Sequence, residues 1–217
     1  MKKFLAASVP ILIVGLVSGC SNPADNVSAA KVSTAAKPSG QADVTALKRY
    51  TFGPGDSKIE FIGSKVTGSH PGGFNKFDGE LFVGADGKLA GHGNKVTIDT
   101  TSLYSDGDRL TGHLKSPDFF NVAAHPTSTF VTTTVTQQGT NSNVTGDLTL
   151  HGITKQISFP AAIQVSEQAV AVQADFSINR FDFEMKYPGQ ADNLIRKEVV
   201  MKLNVKATPA AKGIAAK

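Results

Sequence analysis

The residues able to do chemistry are few and scattered. Arg109, His113 and Asp118 lie close together, and Arg180 and Asp182 flank a single residue. These are types that could form polar contacts with a ligand at the mouth of a channel. Arginine offers a planar fork of donors suited to an oxyanion. The plainer reading has Asp118 capping a helix and Arg180 pairing with Asp182 or another acid across a sheet. Five histidines, His70, His92, His113, His125 and His151, show no H-x-H, HExxH or clustered Cys/His spacing, so no metal site is expected. There is no GxSxG elbow and no Walker loop. No catalytic residue is assigned, no cofactor is required, and the chain reads as a non-enzyme. Gly68-Ser69-His70-Pro71-Gly72-Gly73 reads as a turn rather than a phosphate cradle, because no strand–loop–helix context surrounds it.

The second chemical resource is apolar. The 217 residues include 13 Phe, 3 Tyr and no Trp, and every Phe except Phe4 falls in the body of the chain. Phe61, Phe74, Phe77, Phe119, Phe120, Phe130, Phe176 and Phe183 are candidates to line an apolar channel, where flat rings give a greasy ligand a large contact area. Filling an ordinary core is the alternative. The formal charge of +4 falls to +2 once Lys2 and Lys3 are set aside as part of an export signal. The longest basic runs are the pairs Lys48-Arg49 and Arg196-Lys197, so nucleic acid is not an expected partner. With 40% apolar and 18% charged residues, the chain is too apolar for a disordered one.

Residues 1–19 read as a secretory signal: Lys2 and Lys3, then an apolar run from Phe4 to Leu16, too short to span a bilayer. The signal ends in Leu16-Val17-Ser18-Gly19-Cys20, which looks like a bacterial lipobox with the chain's one Cys at the lipidated position. Two or more acyl chains would anchor the protein stably. The expected place is therefore the bacterial cell envelope, on a membrane facing the periplasm. Ser21, by resemblance to Gram-negative lipoproteins, favours the outer membrane. Residues 20–47, rich in Ala, Ser, Thr and Pro, read as a flexible tether, and residues 208–217 as a disordered tail.

The elements that must position these residues are strands. Apolar residues alternate in Ile59/Phe61, Phe77/Leu81/Val83, Val96/Ile98, Phe130 to Val135, Val144/Leu148/Leu150, Ile157/Phe159, Val170 to Ile178 and Val199 to Val205. Tyr50-Thr51-Phe52 is a ninth candidate. Such alternation marks antiparallel sheet buried on one side. About eight strands can close into a barrel holding one small ligand, but periodicity alone leaves a filled sandwich equally open. Between the fourth and fifth strands, counted from Tyr50, one or two short helices are expected. One starts at Ser116-Pro117-Asp118 and carries Phe119 and Phe120; the other lies in 103–115 with Asp106-Gly107-Asp108 at its beginning.

Four blocks in order resemble the YceI-like family of bacterial periplasmic proteins, described as polyisoprenoid-binding. They are Gly73-Phe74-Asn75-Lys76-Phe77-Asp78-Gly79; His113 to Phe120 followed by His125-Pro126-Thr127-Ser128-Thr129-Phe130; Leu148 to Lys155; and Asn179-Arg180-Phe181-Asp182-Phe183. Together they cover roughly residues 48–207. The resemblance implies an all-β fold, a closed eight-stranded antiparallel lipocalin-like barrel. It also implies a long-chain amphiphile as ligand: a polyisoprenoid, an isoprenoid quinone or a fatty-acid derivative. The chain departs from the family in lacking an acidic residue between Arg109 and His113, in placing Glu184 where Gly is usual after Asp182-Phe183, and in the segment Lys186-Tyr187-Pro188-Gly189. Other readings stay open: a filled barrel that binds an envelope partner, an enzyme acting on a lipid or quinone head group, and assembly as a homodimer.

Overall fold

The computed structural model describes residues 21–35, 44–138 and 141–211. The expected signal at 1–19 and Cys20 lie outside the described residues. The strands are β1 (Ser28–Ala29), β2 (Lys31–Thr34), β3 (Lys48–Phe52), β4 (Lys58–Lys65), β5 (Gly68–Phe74), β6 (Phe77–Val83), β7 (Lys95–Asp99), β8 (Leu103–Ser105), β9 (Thr127–Gln138), β10 (Asn141–Leu150), β11 (Ile153–Val165), β12 (Val170–Asn179), β13 (Gly189–Gln190), β14 (Asn193–Leu194) and β15 (Glu198–Pro209). Among the described residues there is one α-helix, α1 (Asp108–Lys115).

Eight strands close a ring in the order β3-β6-β7-β9-β10-β11-β12-β15 and back to β3, every pairing antiparallel. Closure leaves no free edge in the ring. The ninth candidate, Tyr50 to Phe52, is a ring member. The Ile59 strand is not: β4 lies on the same edge of β15 as β3, pairing with Val200–Asn204 while β3 pairs with Thr208 and Pro209. β5 and β8 extend from β4 as a flap over one end.

Three apolar clusters define the interior. Tyr50, Leu81, Val83, Val170, Val205 and Ala207 fill one end, where the Tyr50 hydroxyl donates to the Ser166 carbonyl at 3.0 Å. The other two clusters face each other. One is built on β10, β11 and β12 with Phe159 and Phe176; the other lies beneath β4, β5 and β7 with Phe61, Phe74 and Phe77.

Several expectations are corrected. The tether expected over 20–47 contains two strands. Between Ala162–Val165 and Val170–Gln173, β11 and β12 pair directly. Beyond that they splay, and residues 28–34 enter the gap: β1 runs parallel to β12, and β2 antiparallel to β11. Ala30 and Val32 pack on the neighbouring apolar cluster, which is what a polar, Ala-rich sequence with one Val every few residues can supply to a half-covered seam. The tail expected from 208 is also ordered at its start, because Thr208 and Pro209 complete β15 against β3. Of the two expected helices only that in 103–115 forms. Ser116 is its C-cap rather than the N-cap of a second one. A proline just past a C-cap ends a helix as readily as one at the first position starts it, and Pro117 does the former. The chain then folds back, with the Phe120 N–H donating to the Leu114 carbonyl at 3.0 Å. The Gly68–Gly73 turn is strand β5; its Gly72 gives passage to Phe61, whose ring would collide with a Cβ there.

Candidate functional site

The ring encloses a cavity of about 510 Å³, within the range of small-molecule sites. Inward-facing residues of successive strands make its wall. Ile59 and Phe61 come from β4, Ile98 from β7, Phe130 from β9, Leu148 and Leu150 from β10, Ile157 and Phe159 from β11, Phe176 and Ile178 from β12, and Met201 and Leu203 from β15. Alternation puts each pair on one face of its strand. Phe159 and Phe176 stack at 4.0 Å with planes 9° apart. None of the residues that fill the Tyr50 end lines the cavity, so the pocket is blind there. Its other end lies among α1, the last residues of β4 and the β13–β14 hairpin.

Six of the eight expected channel phenylalanines line this cavity: Phe61, Phe74, Phe119, Phe120, Phe130 and Phe176. Phe77 and Phe183 do not. Phe77 packs in the cluster beneath β4 and β7, and Phe183 is wholly buried in the cluster built on β10, β11 and β12. Phe119 and Phe120 bring their rings to the cavity from a turn rather than from a helix.

Of the expected polar mouth, Arg109 and His113 line the cavity, while Asp118 and Asp182 do not. The Asp118 carboxylate lies 2.8 Å from His113 Nε2, and the His113 ring lies edge-on to Phe119 and Tyr187 at about 5 Å. Arg180 touches the cavity but is 3% exposed. Its guanidinium donates to the carbonyls of Arg196, Met185, Tyr187 and Ile195, and burial lowers its pKa. Among the described residues no ion pair joins it to Asp182. It is a clamp that ties the 3-10 turn Arg180–Phe183 to the segment before β15, in place of the acid pairing expected from sequence.

The resembling blocks meet in space. His151 and Gly152 form a two-residue turn between β10 and β11, with φ of 53° and 74°, the geometry of a mirror-image hairpin turn. His151 contacts the Phe183 carbonyl through Nδ1 at 3.0 Å, and its ring lies 4.9 Å from that of His125. Glu184, the departure from the family's Gly, sits at φ 60°. Among the described residues no group of three or more His, Cys, Asp or Glu is placed to hold a metal.

Residues 50–207 match the model of the YceI-like domain. The chain belongs to the YceI-like family. Protein YceI of Escherichia coli O157:H7 is 39% identical over 92 residues, which are 42% of this chain and 48% of that protein. A UPF0312 protein of Pseudomonas aeruginosa matches to the same extent. The aligned stretch thus spans about half the length of these curated relatives. Among solved structures, BcnA of Burkholderia cenocepacia superposes with a TM-score of 0.62 at 23% identity, over 70% of this chain and 96% of that one. A polyisoprenoid binding domain from Saccharophagus degradans superposes with a TM-score of 0.60 at 17% identity, over 75% and 99%. At these identities the likeness is one of fold, and the family's lipocalin-like barrel is the fold seen here.

Sequence reasoning missed Phe159, Lys65, Tyr187 and Arg196 as site residues, all of which line the cavity. The inward face of β11 was enough to find Phe159. Nothing in the sequence marks the other three, which the end of β4 and the segments flanking the β13–β14 hairpin carry to the mouth.

Proposed function

We propose that this protein holds a long-chain amphiphile, a polyisoprenoid, isoprenoid quinone or fatty-acid derivative, in the barrel cavity, for carriage, storage or sensing at the cell envelope. The observation that carries the reading is the blind, carbon-walled cavity of about 510 Å³. A barrel that served only as a platform for partners would gain stability by filling that space, since empty volume forfeits packing. Burial of apolar chain yields about 25 cal/mol per Å² before ordering costs. The family membership and the polyisoprenoid binding domain of Saccharophagus degradans support the same ligand class. The protein acts as a binder without a cofactor and not as an enzyme, and it is tethered through Cys20 to a membrane facing the periplasm.

Native mass spectrometry of protein purified from its own envelope tests the first part. A bound mass that extracts as lipid is expected. An apo mass that takes up no quinone, polyprenyl lipid or fatty amide refutes it. Cys20→Ser tests the tether: labelling by radioactive palmitate should vanish and the protein should leave the membrane fraction.

A further inference from the structure

The cavity is asymmetric in charge. Lys65, Arg109, Arg180 and Arg196 line it, and among the described residues no Asp or Glu does. Arg180 is held by four backbone carbonyls. The carboxylates nearby are also occupied: Asp106 lies 3.0 Å from His70 Nδ1 and Asp118 lies 2.8 Å from His113 Nε2. Among the described residues no ion pair involves Lys65, Arg109 or Arg196. Arg196 goes further, since its Nε is buried without a hydrogen-bond partner. A buried donor left unpaired is costly, and native folds rarely keep one without a reason.

We propose that the head group of the bound chain is an oxyanion, a phosphate or carboxylate, held at the mouth by Arg196, Arg109 and Lys65. This deepens the amphiphile-binding reading and rests on it. An oxyanion within reach of the Arg196 side chain balances three cations that form no ion pair among the described residues, and its interaction is strengthened by the apolar wall beneath, where field lines are poorly screened. A neutral hydroxyl or quinone carbonyl could accept one bond but would leave the excess charge. An amine head would be repelled. His70 and His113 line the same mouth, each beside its own Asp.

The test uses the full chain in detergent and two probe pairs that share a tail: geranylgeranyl phosphate against geranylgeraniol, and oleate against oleyl alcohol. In the pair that reflects the native head, the anion should bind at least about tenfold more tightly at low salt, and the ratio should shrink as salt rises. The pair with the larger ratio separates phosphate from carboxylate. Arg196→Gln should cut the ratio to below about threefold, with the fold of the variant checked by an unchanged far-UV circular dichroism spectrum and a cooperative melt. Arg109→Gln, on the exposed face of α1, should narrow it independently. Equal binding of anion and alcohol, or a ratio unmoved by both variants, overturns the head-group assignment. If no probe binds at all, the amphiphile reading falls with it.

Discussion

Residues 28–34 plug the seam between β11 and β12, and their removal gives a prediction whose size follows from the geometry. Six residue pairs face each other across the plug, two against β12 and four against β11. Strand pairing averages about one hydrogen bond per pair. At about 1 kcal/mol net per bond, they contribute about 6 kcal/mol. Half-burial of Val32 adds about 1 kcal/mol. Ordering seven backbone residues, at the low end of about 1 kcal/mol each, costs about 7 kcal/mol. The sum closes near zero, so the plug opens locally at a free energy far below that of global unfolding. Hydrogen–deuterium exchange should show peptides from 21–35 exchanging much faster than those from β10, despite the 2.8 Å bond from the Ala30 N–H to the Ser177 carbonyl. A form beginning at residue 44 should remain folded, with Tm lowered by less than about 10 °C at about 2–4 °C per kcal/mol. It should also bind the dye ANS more strongly, because Ile157, Phe159, Phe176 and Ile178 of the cavity wall stand on the splayed parts of the two strands. Exchange in 21–35 as slow as in β10, or collapse of the truncated barrel, would refute this balance of terms.

Other outcomes follow from single residues. Arg180→Met strips four carbonyls of their buried donor and should cost about 3 kcal/mol, read as a fall in the denaturation midpoint. Glu184→Gly relieves a left-handed residue at φ 60° and should stabilise by up to about 1 kcal/mol; the surface pair it removes with Lys186 is largely exposed and adds little. Gly152→Ala meets both a φ of 74° and a contact of 2.6 Å with His125 Cε1, so a loss of about 1–2 kcal/mol is expected in chemical denaturation. Asp99 has its carboxyl held below the ordinary range, chiefly by the Thr101 hydroxyl. Its contribution is therefore present above the ordinary carboxylate pKa and is lost as pH falls through the depressed value; Asp99→Asn should flatten the acid limb of the stability–pH curve.

What could be read in the sequence was the part encoded locally. Alternation located the strands because one face of each is buried, and Tyr50-Thr51-Phe52 entered the ring as its pattern allowed. Most channel phenylalanines were legible for the same reason. Phe77 and Phe183 were not, because a buried ring on a strand or turn looks alike whether it faces a cavity or a neighbouring layer. The role of Arg180 was hidden for a different reason: its partners are backbone carbonyls, which every residue has. The mouth cations Lys65 and Arg196 depend on where the end of β4 and the chain after a two-stranded hairpin come to rest, a long-range property. The strand plug was missed because its stability lies in the splay of β11 from β12, not in its own composition.

The position of β15 late in the chain has a consequence for how the protein comes into being. β15 supplies partners to β3, β4 and β12, and bonds such as that between Ser57 and Lys206 join residues 149 positions apart. Closing loops of that length before any reward is gained makes folding slow. A nascent chain lacking β15 has open edges on both sides of the breach, and Tyr50 lacks Val205 and Ala207 from its cluster. The ring therefore forms only after β15 has been synthesised, leaving a long interval in which the polypeptide can be threaded as an extended strand.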